Sequence, residues 1–186
     1  MKYDDIFTVD DEAFTIEDYI TEVPDFPVKG VNFKDISPLL KDQDKLSTVI
    51  HHMGELVIEG ALVNVPDYWV GIDARGFIFA SALATHWGGG VVMCRKKGKL
   101  PPPTISYKYE TEYSEDEIEI KEGSGNVIIV DDVLATGGTL QAVNDIVKLA
   151  GYNVIHNLVL MDLQYVPKVN WFNLDVRSLV KYESVR

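Results

Sequence analysis

Asp131 and Asp132 stand side by side, three residues before Thr136-Gly137-Gly138-Thr139 and directly after Val127-Ile128-Ile129-Val130. Paired carboxylates accept hydrogen bonds from sugar hydroxyls and suit a hard cation such as Mg²⁺. Two adjacent glycines let a backbone approach an anion closely and turn its N–H groups toward it. An apolar-periodic helix begins directly after them, and its N-terminus adds positive partial charge. The chemistry that fits is the binding of a sugar phosphate carrying a metal.

Such groups need elements to hold them. Val127–Val130 reads as a strand buried on both faces. Side chains alternate along a strand, so two adjacent acids cannot share a site from its middle. The strand is therefore expected to end at Val130, with both acids at the turn. Further strands are predicted at Tyr68–Ile72, Val91–Cys94 and Asn153–Leu160. The pattern predicts a helix over Gly76–His86 with Ile78, Ala82 and Leu83 inward. Another, from about Gly138 to Ala150, is closed by Gly151. Asp42 caps a third, with Leu46, Val49, Ile50, Met53 and Val57 on one face. A short helix is expected from Thr15 to Glu22, after an acidic, aperiodic tail over residues 1–13. Leu100-Pro101-Pro102-Pro103 is a stiff connection, and 104–109 and 116–120 alternate as a hairpin. Residues 164–186 are mixed in pattern.

Strands alternating with helices argue for a parallel sheet covered on both faces. Ligands of such sheets bind beyond the carboxyl ends of the strands. Asp73, Arg95 and Asp131-Asp132 all follow strands, so three strand ends are expected to converge on one crevice.

The 186 residues suffice for one sizeable core, and 46% are hydrophobic, so a globular fold is expected. A net charge of -12 argues against nonspecific nucleic-acid binding, which needs a basic face. Cys94 is the only cysteine, which leaves no intrachain disulfide framework and fits a reducing compartment. No apolar run reaches spanning length, and the start lacks the regions of a signal peptide. A cytoplasmic place without membrane contact is expected. His51 and His52 are adjacent and cannot share a helix face, and His86 and His156 have no ligand-spaced partner. The histidines therefore offer no metal cage.

The run from Asn126 to Thr139 resembles the phosphoribosyl-diphosphate (PRPP) signature of type I phosphoribosyltransferases. The rest of the chain, over roughly residues 23 to 163, most resembles the adenine phosphoribosyltransferase family. Pro24-Asp25-Phe26-Pro27, Gly30-Val31 and Phe33-Lys34-Asp35-Ile36-Ser37-Pro38 look like its purine-site segment. Gly71-Ile72-Asp73-Ala74-Arg75-Gly76-Phe77 looks like its diphosphate loop. Arg95-Lys96-Lys97-Gly98-Lys99-Leu100-Pro101 and Glu112-Tyr113 look like the start and tip of its catalytic loop.

The resemblance implies an α/β type I phosphoribosyltransferase fold: a central parallel twisted sheet flanked by helices, with a small hood and a flexible β-hairpin loop. It implies one domain over 1–186, with the hood at about 14–40 and 161–186 and the loop at about 95–120. The implied enzyme is a pentosyltransferase that moves the 5-phosphoribosyl group of PRPP to adenine, giving AMP and diphosphate. Asp131 and Asp132 would hold the ribose hydroxyls, and Ala135, Thr136, Gly137, Gly138 and Thr139 would wrap the ribose phosphate. Asp73, Ala74 and Arg75 would form the diphosphate loop, with a cis peptide between Asp73 and Ala74. Arg95 and Lys99 would also serve the diphosphate, from a neighbouring subunit of a homodimer. Glu112 would be the general acid/base, with Tyr113 beside it. Phe33 would stack on the purine, with Asn32, Lys34 and Leu160 nearby. Mg²⁺ would be held mainly by PRPP and water, near Asp131 and Asp132, with no direct protein ligand.

Two departures fall in the implied purine site. Asn32 stands where the family is usually apolar, and Lys34 replaces a usual arginine, a fork exchanged for a point charge. An amide can satisfy an amino group or a carbonyl, so a hypoxanthine/guanine enzyme is an alternative. A non-catalytic PRPP-binding regulator is another, though such a protein needs a basic nucleic-acid element that the acidic residues 1–22 do not supply. Ala74 replaces a common serine, and the segment after Leu163 lacks the family's usual Gly-Arg stretch.

Overall fold

β-Branched and aromatic runs build the strands of this chain, whose structure here is a computed structural model that describes residues 6–9, 12–58, 65–110 and 115–184. Two compact units result, a smaller one reaching to His52 and a larger one from Met53 to Ser184.

In the smaller unit, β1 (Ile6–Val9) and β2 (Glu12–Thr15) form an antiparallel hairpin where an aperiodic tail is expected from sequence. The cause is a cross-strand aromatic pair: Phe7 stands opposite Phe14, with ring centroids 5.6 Å apart. Thr15 and Asp18 then cap a single 3₁₀ turn, Ile16–Tyr19, and the chain goes straight into β3 (Thr21–Val23). The helix expected over Thr15–Glu22 does not form. Ile16, Ile20, Thr21 and Val23 are β-branched, and strand pairing of β3 with β4 (Phe33–Asp35) competes for the same residues. After α1 (Ser37–Lys41), Asp42 Oδ1 accepts the Lys45 N–H at 3.1 Å and starts α2 (Gln43–Glu55), as its cap role predicts. Val49, Ile50 and Met53 are buried on its inner face.

The larger unit contains β5 (Tyr68–Ile72), α3 (Gly76–Trp87), β6 (Gly90–Lys96), β7 (Ile105–Glu110), β8 (Glu115–Ile120), β9 (Gly125–Leu134), α4 (Gly138–Leu149), β10 (Tyr152–Leu163) and β11 (Arg177–Tyr182). They make a seven-stranded sheet in the order β11-β10-β9-β5-β6-β8-β7. The run from β11 to β6 is parallel, while β8 and β7 are antiparallel. The sheet is thus mixed, not wholly parallel, because the predicted hairpin joins its edge through Arg95↔Glu119 and Lys96↔Ile118. Residues 177–182, unassigned from pattern alone, supply the other edge.

Val127, Ile128, Ile129 and Val130 are fully buried. Burying each contributes roughly 1.5–3 kcal/mol relative to leaving it exposed. Val127 and Ile129 pack in one core with Val70, Ile72 and the α4 residues Val143, Ile146 and Val147. On the other face, Gly71 lies under α3, with Phe77 and Ala80 filling the space a side chain would need. Helix α3 buries Phe79, Ala80 and Leu83, whereas Ile78, expected inward, is 40% exposed. The helix presents the next residue to the sheet because its small Gly76 and Ala80 sit against β5 and β9. Among the described residues no helix is long and apolar enough to cross a membrane.

Candidate active site

The crevice forms where the sheet splits. β5 and β9 pair only as far as Gly71↔Val130, while β9 stays paired with β10 to Leu134↔Asp162. Asp131 and Asp132 therefore lie within β9 and not after it, contrary to the expected strand end. Their access to one site comes from the loss of β5 on that side. Across the gap, β5 ends at Ile72, and Asp73 N–H is held by Cys94 C=O at 3.1 Å. The Asp73–Ala74 peptide is cis, as the resemblance implies, and Arg75 begins α3. A cavity of about 290 Å³ results. Asp73, Ala74 and Arg75 line one wall, Asp131 and Asp132 the floor, and Ala135, Thr136, Gly137 and Thr139 the far side. Gly138 is buried behind that lining.

Charge is concentrated on the floor. Arg75 Nε lies 3.0 Å from Asp132 Oδ2, and Asp132 N–H donates to Asp131 Oδ1 at 3.0 Å. Burial and then the neighbouring Asp132 carboxylate push the Asp131 carboxyl well above the ordinary aspartate range. Burial also raises Asp132, against the opposing pull of Arg75. Gly76 is required here: a Cβ would lie 2.6 Å from Val130 O and 3.1 Å from Asp131 Oδ1. Among the described residues no three His, Cys, Asp or Glu side chains cluster as a metal cage.

Gly137 caps α4 in the left-handed region, at φ +84°, which a glycine adopts without strain. Its C=O accepts Gln141 N–H at 2.9 Å, so the loop passes directly into the helix. Backbone N–H groups of the first turn are left for an anion. Burial raises the Tyr109 hydroxyl of the hairpin, against an opposing pull from Thr139.

Arg95 is the last residue but one of β6 and does not line the cavity. Its Nε donates to Asp73 Oδ2 at 3.2 Å, its Nη1 donates to Lys99 O at 3.1 Å, and its guanidinium lies 5.7 Å from the Phe77 ring. Glu119 organises this basic loop. It is 2% exposed, and its Oε1 accepts Lys99 N–H at 2.8 Å and Leu100 N–H at 2.6 Å. Desolvation opposes its ionisation, but the backbone donors of Leu100, Gly98 and Lys99 and the Thr104 hydroxyl outweigh it and hold the carboxyl below its ordinary range. From sequence, Glu119 is one of a run of acids on the hairpin, and its strand period matches that of half-buried Glu117. Only the nearby turn, rich in unpaired N–H groups, hints at its role. Replacing it as Glu119→Gln turns an N–H₂ toward backbone donors, and we expect a loss of about 2–3 kcal/mol. Urea unfolding at neutral pH checks this; a change under 0.5 kcal/mol would refute it. Cys94, behind the loop, has its thiol raised to about 12 by burial, then by Asp73 and Glu119, so it is chemically quiet.

Residues 40–169 match the model of the phosphoribosyl transferase domain. The chain belongs to the phosphoribosyl transferase family. It is 47% identical to an adenine phosphoribosyltransferase of Bdellovibrio bacteriovorus, over 90% of this chain and 99% of that one. A relative with the same name from Rhodospirillum rubrum is 40% identical, over 91% and 99% of the two chains. Among solved structures, the adenine phosphoribosyltransferase of Thermoanaerobacter pseudethanolicus superposes with a TM-score of 0.81 at 40% identity, covering 90% of this chain and 98% of its own. The Saccharomyces cerevisiae enzyme, complexed with D-2,5-Dideoxy-2,5-Imino-Altritol 1,6-Bisphosphate and adenine, also reaches 0.81 at 32% identity, covering 88% and 96%.

Of the residues that the resemblance implies for the base, Phe33 and Lys34 lie in β4, Asn32 directly before it, and Leu160 in β10. Phe33 meets Phe26 edge to face, with centroids 5.1 Å apart. Asn32 Nδ2 donates to Glu22 Oε2 at 2.7 Å, and the buried Lys34 forms an ion pair with Glu22 Oε1. Glu22 therefore explains both unusual residues together. The register of β3 on β4, which places Glu22 opposite Lys34, is what the sequence reading missed. Leu160 is fully buried in β10. Glu112 and Tyr113 lie outside the described residues.

Proposed function

We propose that this chain transfers the 5-phosphoribosyl group from PRPP to adenine, giving AMP and diphosphate. The observation that carries the reading is the meeting of an acid pair, a glycine-capped helix start and Arg75 in one cavity. Breaking the anomeric bond builds positive charge on the ribose and negative charge on the leaving diphosphate. Carboxylates belong under the first and cations beside the second. Asp131 and Asp132 accept the ribose hydroxyls and stabilise the cationic sugar. N–H groups of Ala135 to Thr139 and the two threonine hydroxyls bind the ribose phosphate. Arg75 takes the diphosphate, with Asp73 and Ala74 shaping its loop. Glu112 exchanges the purine proton, with Tyr113 beside it.

Mg²⁺ fits this site. The buried Asp132 Oδ2 faces only the Arg75 charge and accepts no aligned hydrogen bond, and the raised Asp131 gains from a nearby cation. Bound near Asp131 and Asp132, Mg²⁺ would supply charge neutralisation for the diphosphate. Asp131 and Asp132 would orient its water shell.

Adenine is favoured over 6-oxopurines by the Glu22 contact. That acceptor takes one Asn32 amide N–H and fixes the orientation of the group, and Oδ1 receives the adenine amino group. Phe33 stacks on the ring, and Lys34 with Leu160 completes the surroundings. The chain acts as a single cytoplasmic domain, with residues 14–40 and 161–186 as its hood and 95–120 as its catalytic loop. It works as a homodimer. Val91 and Met93 are 40% and 43% exposed on the β6 face that Gly71 shares, and Arg95 follows two residues on. A second copy covering that strip would bring Arg95 and Lys99 toward its diphosphate. Sedimentation of Met93→Glu tests this: the variant should be monomeric and the parent dimeric, and a monomeric parent would end the proposal.

The deciding experiment is product formation from PRPP and Mg²⁺ with adenine, hypoxanthine or guanine. AMP should form from adenine alone at a useful rate. Reaction only with the oxopurines would overturn the base assignment, and PRPP binding without any reaction would mark a regulator.

A further inference from the structure

Outside the cavity, the backbone of the phosphate loop is gripped by a segment with no assigned part in the reaction. Val169 N–H donates to Thr136 C=O at 2.9 Å. In a trans peptide unit the C=O and the following N–H point in opposite directions. Holding the Thr136 carbonyl outward therefore turns the Gly137 N–H away from Val169, to the side of the cavity that Thr136 and Gly137 line. Phe172 N–H donates to Val169 C=O at 2.9 Å and closes a turn. That turn lays the Phe172 ring on Gly137: a Cβ there would meet Phe172 Cδ2 at 2.5 Å. Trp171 lies over Gly138, 3.6 Å from where its Cβ would be. A third tie is polar. Asn173 N–H donates to Gln141 Oε1 at 3.2 Å, and Gln141 Nε2 donates to Asp145 Oδ1 at 3.3 Å, which fixes the turn to α4.

We propose that the Val169–Asn173 turn is a positioning device for phosphate binding, with Phe172 as its anchor, which sets the Gly137 N–H toward the ribose phosphate. Two glycines make the loop permissive, and a permissive loop aims its donors only if something outside restricts it. A ring on Gly137, a hydrogen bond on Thr136 and a side-chain amide on the first helical turn supply that restriction. The effect is specific to the phosphate end of PRPP, since none of these contacts reaches Arg75 or the acid pair. This inference rests on reading Thr136–Thr139 as the phosphate site.

The test is Phe172→Ala in the full chain, with steady-state kinetics and direct PRPP binding by calorimetry. KM and Kd for PRPP should rise about tenfold, with kcat at saturating PRPP and KM for adenine within about twofold of the parent. Phe172→Leu should recover most of the affinity. A folded Phe172→Ala that binds PRPP like the parent would overturn the proposal. So would an equal loss in kcat and adenine KM, which a merely structural role produces. If Phe172→Ala does not fold, Gln141→Met decides, with an expected rise of about threefold in PRPP KM and none in adenine KM; an unchanged PRPP KM then overturns it. Thr139→Ala separates the two levels. If it too leaves PRPP binding unchanged, the phosphate-site reading has failed and not the turn alone.

Discussion

Asp131→Asn should make the free protein more stable and the enzyme about 10²–10³ slower in kcat/KM for PRPP, the scale of losing one preorganised charge-stabilising group. Both effects have one origin. The Asp131 carboxyl is held above its ordinary range by burial and by Asp132, so its charge is unfavourable in the folded state. A folded pKa above the unfolded value means that the folded state holds the extra proton. The linked stability is fully present below the unfolded pKa and is lost as pH rises through the folded one. Above the folded pKa the parent has lost it, and an uncharged amide restores it. Each 1 kcal/mol regained raises Tm by about 2–4 °C in a chain of this size. The Tm difference should shrink as pH falls toward the ordinary aspartate range, where the parent carboxyl is itself protonated. Thermal unfolding from pH 4 to 8, paired with kinetics, measures both. A variant less stable than the parent at pH 7, or one with unchanged kcat/KM, would defeat the account. Asp132 is the poorer subject, because removing its charge also strips Arg75 of its partner.

Glu119 shows the opposite linkage within the same sheet. Its carboxyl is held below the ordinary range, so its stability is present above the unfolded pKa and is lost as pH falls through the folded one. One acid is held at a cost by burial and a like charge, and the other is satisfied by the loop it organises. Their difference is one of donors: Asp131 accepts one neighbouring N–H, whereas Glu119 accepts several.

That contrast marks where sequence reading succeeds and stops. The acids, the glycines and the apolar run before them are local, and local patterns carry their own physics. Their convergence with Asp73 followed from strand ends alone, whereas Arg95, expected there on the same ground, does not line the cavity. The continuation of β9 past Val130 did not, because it depends on β10 supplying a long parallel edge. Glu22 and Glu119 were illegible for a similar reason. Each is an ordinary acid until register places it beside a buried Lys34 or a turn of bare N–H groups. The Phe7–Phe14 pair was hidden in acidic sequence, and Ile78 was misassigned because helix phase alone does not say which face is narrow enough for close contact. The grip of Phe172 on Gly137 joins residues 35 positions apart, and no periodicity reports such a contact.

Glu112→Ala should lower kcat about 10²–10⁴-fold, the range for removing a general acid or base, while PRPP binding stays within threefold. The reasoning starts from the hairpin. β7 and β8 pair Glu110 with Glu115 and leave Glu112 among the residues that connect them. An acid in a strand of this hairpin is tied to the sheet, as Glu119 is by backbone donors and Glu117 is by Lys97 at 3.5 Å. A carboxylate in the connecting segment can take the proton that the purine nitrogen loses as the glycosidic bond forms. The strands of the hairpin pair with the edge of the sheet through β6, the strand that carries Arg95. Glu117→Ala is the control. It removes a partly exposed ion pair worth roughly 0–1 kcal/mol and should leave kcat unchanged. Single-turnover rates with saturating PRPP and adenine, followed across pH, separate chemistry from binding. The acidic limb of the parent profile should vanish in Glu112→Ala. A kcat within threefold of the parent, or an equal fall in Glu117→Ala, would move the proton transfer to another group and reduce the acids of the hairpin to solvation.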